Sequence, residues 1–145
     1  KMYTVFANAG RLMPVSLLHS DEKKLGEQVL SPKISEQVLD MMESVVKRGG
    51  TGTKAAVPGY RVAGKTGTAR IAGQHGYEEK RYLATFAGIA PVSHPRLVVA
   101  VVINEPTKKS FYGGRVAAPL FSKVMEASLR LLNIESDETN EARAA

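Results

Sequence analysis

Residues 59–70 read GYRVAGKTGTAR, and the fold of the chain turns on how this stretch is taken. Gly59-Tyr60-Arg61-Val62-Ala63-Gly64-Lys65-Thr66 satisfies the phosphate-cradling pattern G-x-x-x-x-G-K-[ST], which needs a strand before the glycine loop and a helix opening at the lysine. Lys65-Thr66-Gly67 satisfies a second pattern, the K-T-G triad. The flanking residues favour the second. Thr51-Gly52-Thr53-Lys54-Ala55-Ala56-Val57-Pro58, just upstream, has loop composition and supplies no apolar strand. Tyr60-Arg61-Val62-Ala63 alternates as a strand does. Thr66-Gly67-Thr68 sets a glycine and two β-branched residues where a first helical turn would have to form. The stretch therefore predicts a strand over residues 60–71, and a lysine that serves something other than phosphate. On the triad alone, an exposed edge-strand lysine with no role stays open.

Two more strands are expected outward from it, over residues 82–90 and 97–104. Short loops containing Gly or Pro separate the three, which suits sequential antiparallel pairing. The run 97–103 has no polar alternation, so it is expected to be covered on both faces. Toward the N-terminus, residues 2–10 read as the last turns of an apolar helix stopped at Gly10, which suggests a piece of something longer. Residues 12–18 and 28–30 read as a small ribbon joined by the charged turn 21–26. A helix capped by Ser35 buries Val38, Met41, Met42, Val45 and Val46, and ends at Lys47-Arg48 and Gly49-Gly50. A last helix runs from Pro119 to about Leu132, with Leu120, Phe121, Val124, Met125, Leu131 and Leu132 on one apolar face packed against the sheet. The fold class is α+β. Residues 1–133 belong to the domain, and 134–145 are expected to be a polar, mobile tail.

The composition excludes several chemistries. The 145 residues contain no cysteine, so disulfides, thiolate metal sites and cysteine nucleophiles are ruled out. His19, His75 and His94 lack metal-ligand spacing, and Asp40, Glu43 and Glu105 suggest no acid–base pair; no metal or cofactor is expected. The net charge of +6 is spread along the chain without a dense basic run, which argues against nucleic acid. No apolar stretch approaches the roughly 20 residues of a membrane-spanning helix.

Four ordered blocks narrow the choice further. They are Val62-Ala63-Gly64-Lys65-Thr66-Gly67-Thr68-Ala69-Arg70, Phe86-Ala87-Gly88-Ile89-Ala90-Pro91, Val101-Val102-Ile103-Asn104-Glu105-Pro106, and the run from Tyr112-Gly113-Gly114-Arg115 to Pro119-Leu120-Phe121. Together they resemble the C-terminal part of the transpeptidase domain of class B penicillin-binding proteins, the division-septum type in particular. Met41-Met42-Glu43-Ser44-Val45-Val46 looks like that family's helix before the triad strand.

The resemblance implies a peptidoglycan D,D-transpeptidase acting through a serine acyl-enzyme on D-Ala-D-Ala stem peptides. It implies β-lactams as ligands, divisome membrane proteins as partners, and a place on the periplasmic side of the bacterial inner membrane, held by an anchor outside this chain. By the same resemblance, Lys65 and Thr68 are catalytic, the lysine by its positive potential toward the reacting serine and Thr68 by its backbone N–H as an oxyanion donor. Thr66 and Thr68 hold the substrate carboxylate by their hydroxyls, and Gly67 lets substrate lie close to the strand. Arg70 reaches acidic substituents, while Tyr82, Phe111 and Tyr112 are either aromatic walls of the pocket or packing against the sheet. Gly113 and Gly114 serve a turn.

The family's S-x-x-K motif has one match, Ser44-Val45-Val46-Lys47, which is rejected as nucleophile because Ser44 falls near a helix C-terminus, where the dipole opposes a developing anion. The second motif, S-x-N or Y-x-N, is absent. The chain is thus expected to carry one motif of three and to be inactive alone. A homologue that has lost its nucleophile and acts as scaffold or sensor is the non-catalytic alternative, and a phosphate-loop protein the other.

Overall fold

The computed structural model describes residues 1–18, 25–73, 76–107 and 110–138. Helix α1 (Met2–Ala7) leads into a ribbon of β1 (Arg11–Leu12) against β2 (Glu27–Gln28), followed by helix α2 (Pro32–Ser44). Strands β3 (Ala63–Gly73), β4 (Gly76–Ala90) and β5 (Leu97–Asn104) form one antiparallel sheet in chain order. A short helix α3 (Gly113–Val116) precedes the closing helix α4 (Ala118–Leu131).

The deciding stretch is extended through Thr68, so no helix opens at Lys65 and the phosphate-loop geometry is absent. The strand starts three residues later than the alternation suggested, because a tight turn at Pro58-Gly59 intervenes, with Gly59 at φ +84° and a bridge between Val57 and Tyr60. Strand β4 starts six residues earlier than expected. Its polar first part has no apolar pattern, yet the hairpin continues through Ala72 opposite Tyr77 and Gly73 opposite Gly76.

The sheet is covered on both faces by different elements. On one, Phe86 and Val101 meet Phe121, Met125 and Leu129 of α4. The Phe86 and Phe121 rings lie 4.7 Å apart, tilted by 56°. On the other, Ala63 and Ile89 meet Leu39 and Met42 of α2, with Tyr3 and Phe6 of α1 behind them. Burying one such side chain contributes about 1.5–3 kcal/mol, so these two small clusters supply most of the apolar stabilisation.

Five expectations need correcting. Helix α2 is capped by Ser31, whose Oγ accepts from the Ile34 N–H at 3.3 Å; Ser35 is instead buried, donating to the Phe6 carbonyl at 3.0 Å. The same helix ends at Ser44, and only Leu39, Met42, Ser35 and Glu43 are buried on it, so Met41 is exposed. Strand β5 is not covered on both faces. Helices α1 and α2 reach only its Val98 end, leaving Ala100 and Val102 exposed. The buried stripe of α4 is Ala118, Phe121, Met125 and Leu129, while Leu131 is 83% exposed, since a 14-residue helix can turn only one stripe to the sheet. Finally, residues 134–138 are not a loose tail but are hydrogen-bonded to the loops before β3 and after β4. The rest of the predicted tail, most of the charged turn at 21–26, and His19 and His75 lie outside the described residues.

Candidate functional site

Alternation along β3 sorts the candidate residues by face. Thr66, Thr68 and Arg70 share the face of Phe86, while Lys65 and Gly67 project to the opposite side. Arg70 stands directly across from Tyr82. Tyr82 stacks on Phe111 at 4.1 Å and 11°, and Phe111 meets Tyr112 at 4.5 Å. Six of the eight residues are thereby gathered on one side of the sheet. The aromatic trio is only partly covered, with Tyr112 54% exposed, so it forms a surface wall and not a core cluster.

A cavity of about 380 Å³ opens between β3, the loop at 51–54 and α3, lined by Thr51, Thr53, Lys54, Thr66, Thr68 and Tyr112 with the first residues of α3. The Thr51 and Thr66 hydroxyls are 3.1 Å apart, and the Gly113 N–H donates to Thr68 Oγ1 at 3.1 Å. Both threonine side chains are therefore held in place before anything binds. Lys54 and Arg115 make the cavity electropositive, and none of its described lining residues is acidic. The arrangement suits a small anion such as a carboxylate, held by hydroxyls in a positive field.

Three glycines allow this close assembly. A Cβ on Gly113 would lie 2.3 Å from the Thr85 carbonyl oxygen and 2.4 Å from that of Gly67, and one on Gly114 would lie 2.0 Å from the Thr51 carbonyl oxygen. These two residues thus serve close backbone approach, not only a turn. A Cβ on Gly67 would meet Thr85 Oγ1 at 2.3 Å, so with threonine at position 85 a larger residue there must displace that hydroxyl before any substrate is considered.

Lys65 does not line the cavity. Its ammonium donates to the Thr66 carbonyl at 3.0 Å and is exposed. Among the described residues β3 has no strand on its outer side, so Lys65 from one face and Thr66 and Thr68 from the other all border one open strand edge. Ser44 offers no nucleophile: it is the last residue of α2, and its hydroxyl donates to the Met41 carbonyl at 2.7 Å.

The approach to β3 is anchored by an ion pair whose carboxylate is buried and whose guanidinium is half-exposed. Arg61 Nε and Nη2 donate to the two oxygens of Glu43, each at 2.9 Å, with Lys47 3.5 Å from the same carboxylate. The Arg61 hydrogen bonds hold the Glu43 carboxyl below its usual range, against burial, which pushes it up. Glu105 is likewise lowered, chiefly by its hydrogen bonds from Arg81, and no group of three potential metal ligands occurs among the described residues.

Sequence reasoning missed Thr51, Thr53, Lys54 and Arg115. Thr51 stands 15 positions from its partner Thr66, and nothing in the spacing of a Gly/Thr loop signals that contact.

Comparison with known proteins bears on the fold and the family. The probable peptidoglycan D,D-transpeptidase PbpC of Pseudomonas aeruginosa is 44% identical over 142 residues, covering 98% of this chain and 25% of its own length. The peptidoglycan D,D-transpeptidase FtsI of Escherichia coli K12 is 44% identical over 137 residues, covering 94% of this chain and 23% of its own. Among solved structures, the apo TP domain of Burkholderia pseudomallei penicillin-binding protein 3 superposes with a TM-score of 0.86 at 44% identity, covering 94% of this chain and 42% of that one. The chain thus spans about a quarter of the length of the curated relatives it matches. The model of the penicillin binding protein transpeptidase domain matches residues 1–126, and the chain belongs to that family.

Proposed function

We propose that the protein containing this chain is a peptidoglycan D,D-transpeptidase of septal cell-wall synthesis and a target of β-lactams. The observation that carries the reading is the open edge of β3, bordered by Lys65 from one face and by Thr66 and Thr68, which line an electropositive cavity, from the other. In the reaction, a serine hydroxyl attacks the carbonyl of the D-Ala-D-Ala bond, and the terminal D-Ala leaves with the proton. An amine on a neighbouring stem peptide then attacks the ester, forming the cross-link and returning the serine hydroxyl. The serine is not Ser44 and is supplied by sequence outside this chain.

In this reading Lys65 stabilises charge at the attacking serine, the Thr66 and Thr68 hydroxyls take the terminal carboxylate, and the Thr68 N–H faces the oxyanion. Gly67 and Gly113 let the backbone of β3 and α3 close to contact around them. Arg70, the stacked Tyr82 and Phe111, and Tyr112 tilted against Phe111 form the wall along the substrate's remaining length. Periplasmic placement through a membrane anchor outside the chain, and contact with divisome membrane proteins, belong to the same proposal. No described helix is long and apolar enough to cross a membrane.

The test is covalent labelling of the full-length protein with a fluorescent penicillin, beside Lys65→Ala. The reading predicts one label per molecule, with labelling slowed at least about a hundredfold in the variant, the scale of losing one transition-state donor. Folded wild-type protein that takes no label would defeat it and leave the inactive scaffold.

A further inference from the structure

Residues 134–138 cross back over the approach to β3, and the carboxylates of Asp137 and Glu138 face backbone donors. Asp137 Oδ1 accepts from the Arg61 N–H at 2.7 Å, and its Oδ2 accepts from the Ser93 N–H at 3.0 Å and the Ser93 hydroxyl at 2.8 Å. Glu138 accepts from the Gly59 N–H at 3.0 Å and donates its own N–H to the Gly59 carbonyl at 3.1 Å. The Tyr60 hydroxyl donates to the Ile134 carbonyl at 2.5 Å. Every residue from Gly59 to Arg61 is thus tied to this segment.

The place of these contacts is specific. Pairing of β3 with β4 ends at Ala63 opposite Ile89, and Pro91 just beyond has no N–H to continue it. The Arg61 carbonyl still accepts from Val92, at 3.0 Å, but the N–H groups of Arg61 and Ser93 have no carbonyl from the ladder. The Asp137 carboxylate takes both. An ionised carboxylate accepts without donating, and its hydrogen bonds are roughly twice as strong as neutral ones.

Beyond Gly64 no side chain of β3 as far as Thr68 is buried, so an anchor at its start adds to the glycine contacts that fit it to β4. From Ala63 to Thr68 it carries two glycines, a lysine and two threonines, and only Ala63 and Gly64 are buried. Gly-rich strands are among those prone to slip in register, and a one-residue slip sends every side chain to the other face. Arg61 is fixed at both ends, its guanidinium by Glu43 and its backbone by Asp137 and Val92, and Lys65 lies four residues further along.

We propose that Asp137 is a positioning residue for acylation: the segment after α4 is a strap that fixes where β3 enters the sheet, and so where Lys65 and Thr68 stand. This rests on the transpeptidase reading above. The experiment compares full-length wild type, Asp137→Ala and Asp137→Asn for the acylation rate at saturating fluorescent penicillin, well below each protein's melting temperature. Hydrogen exchange is followed in parallel on peptides covering 59–68 and 97–104. Asp137→Ala is expected to acylate about tenfold more slowly, the scale of a sub-ångström misplacement, with faster exchange at 59–68 and unchanged exchange at 97–104. Asp137→Asn, which keeps one acceptor oxygen, falls between, and carries the test if the alanine variant does not fold. A variant that melts earlier yet acylates at the wild-type rate while folded overturns the strap, as does unchanged exchange at 59–68. Wild-type protein that takes no label defeats the transpeptidase reading itself, whereas labelled wild type with an equally fast variant defeats only the strap.

Discussion

Replacing Arg61 by methionine in the full-length protein isolates the ion pair that ties α2 to the start of β3. The Glu43 side chain is 8% exposed and that of Arg61 39%, so removing the guanidinium leaves a carboxylate in a site that solvent hardly reaches. Breaking a buried pair at one partner costs about 3–5 kcal/mol. Lys47 remains 3.5 Å away but is 65% exposed, and Arg61 is itself screened, so the expected loss is about 2–3 kcal/mol at pH 7. Acidity supplies the sharper test. With Arg61 present, the folded Glu43 carboxyl lies below its unfolded value near 4.3, so the pair's stabilisation is present above that pH and is lost as pH falls through the folded value. Without Arg61, burial acts against only the exposed Lys47, so the Glu43 carboxyl is held less low and the variant loses less stability than the wild type as pH falls. Urea unfolding of both proteins from pH 7 down to pH 3 should therefore show the gap between them shrinking, chiefly below the unfolded value. Glu43→Gln combined with Arg61→Met should recover much of the loss, since a neutral pair leaves no buried charge. A gap that stays constant with pH would refute the reasoning.

Gly113→Ala should destabilise more than Gly67→Ala, because the first drives a Cβ onto two backbone oxygens and the second onto a side-chain hydroxyl that can be removed. Thermal melting should show about 1–3 kcal/mol for Gly67→Ala, largely restored by Thr85→Ala, and no such rescue for Gly113→Ala. Phe121→Ala, at a fully buried position against Phe86, should cost about 3–5 kcal/mol in the same assay. Ser31→Ala removes the cap of α2 and should cost about 1 kcal/mol by urea titration.

The sequence determined by itself whatever depends on near neighbours in the chain. Glycine and β-branched residues around Lys65 forbade a helix and left a strand, and three candidate strands with short loops between them predicted the antiparallel order of β3, β4 and β5. The motif blocks, read together, pointed to the family. That Ser44 lies toward the C-terminal end of α2 was also legible, and with it its unsuitability as a nucleophile, although the helix stops at Ser44 and not at Lys47-Arg48. The cap was not: Ser31 and Ser35 look alike locally, and only the packing of α1 on α2 brings Phe6 to Ser35 and removes it from capping. Exposure of Val102 was hidden for the same reason, since an apolar strand does not state how far a neighbouring helix extends over it.

Tertiary structure alone decided how the site is assembled. Thr51 reaches Thr66, Gly113 reaches Thr68, and Phe111 stacks on Tyr82 across separations that carry no periodic signal. The polar residues after α4 have the composition of a solvated tail, and their carboxylates become structural only because the sheet's ladder stops beside them with donors to spare. Local propensity depends on a residue and its immediate neighbours. Hydrogen-bond demand at the end of a ladder depends on where distant segments meet, and that is settled only when the chain has folded.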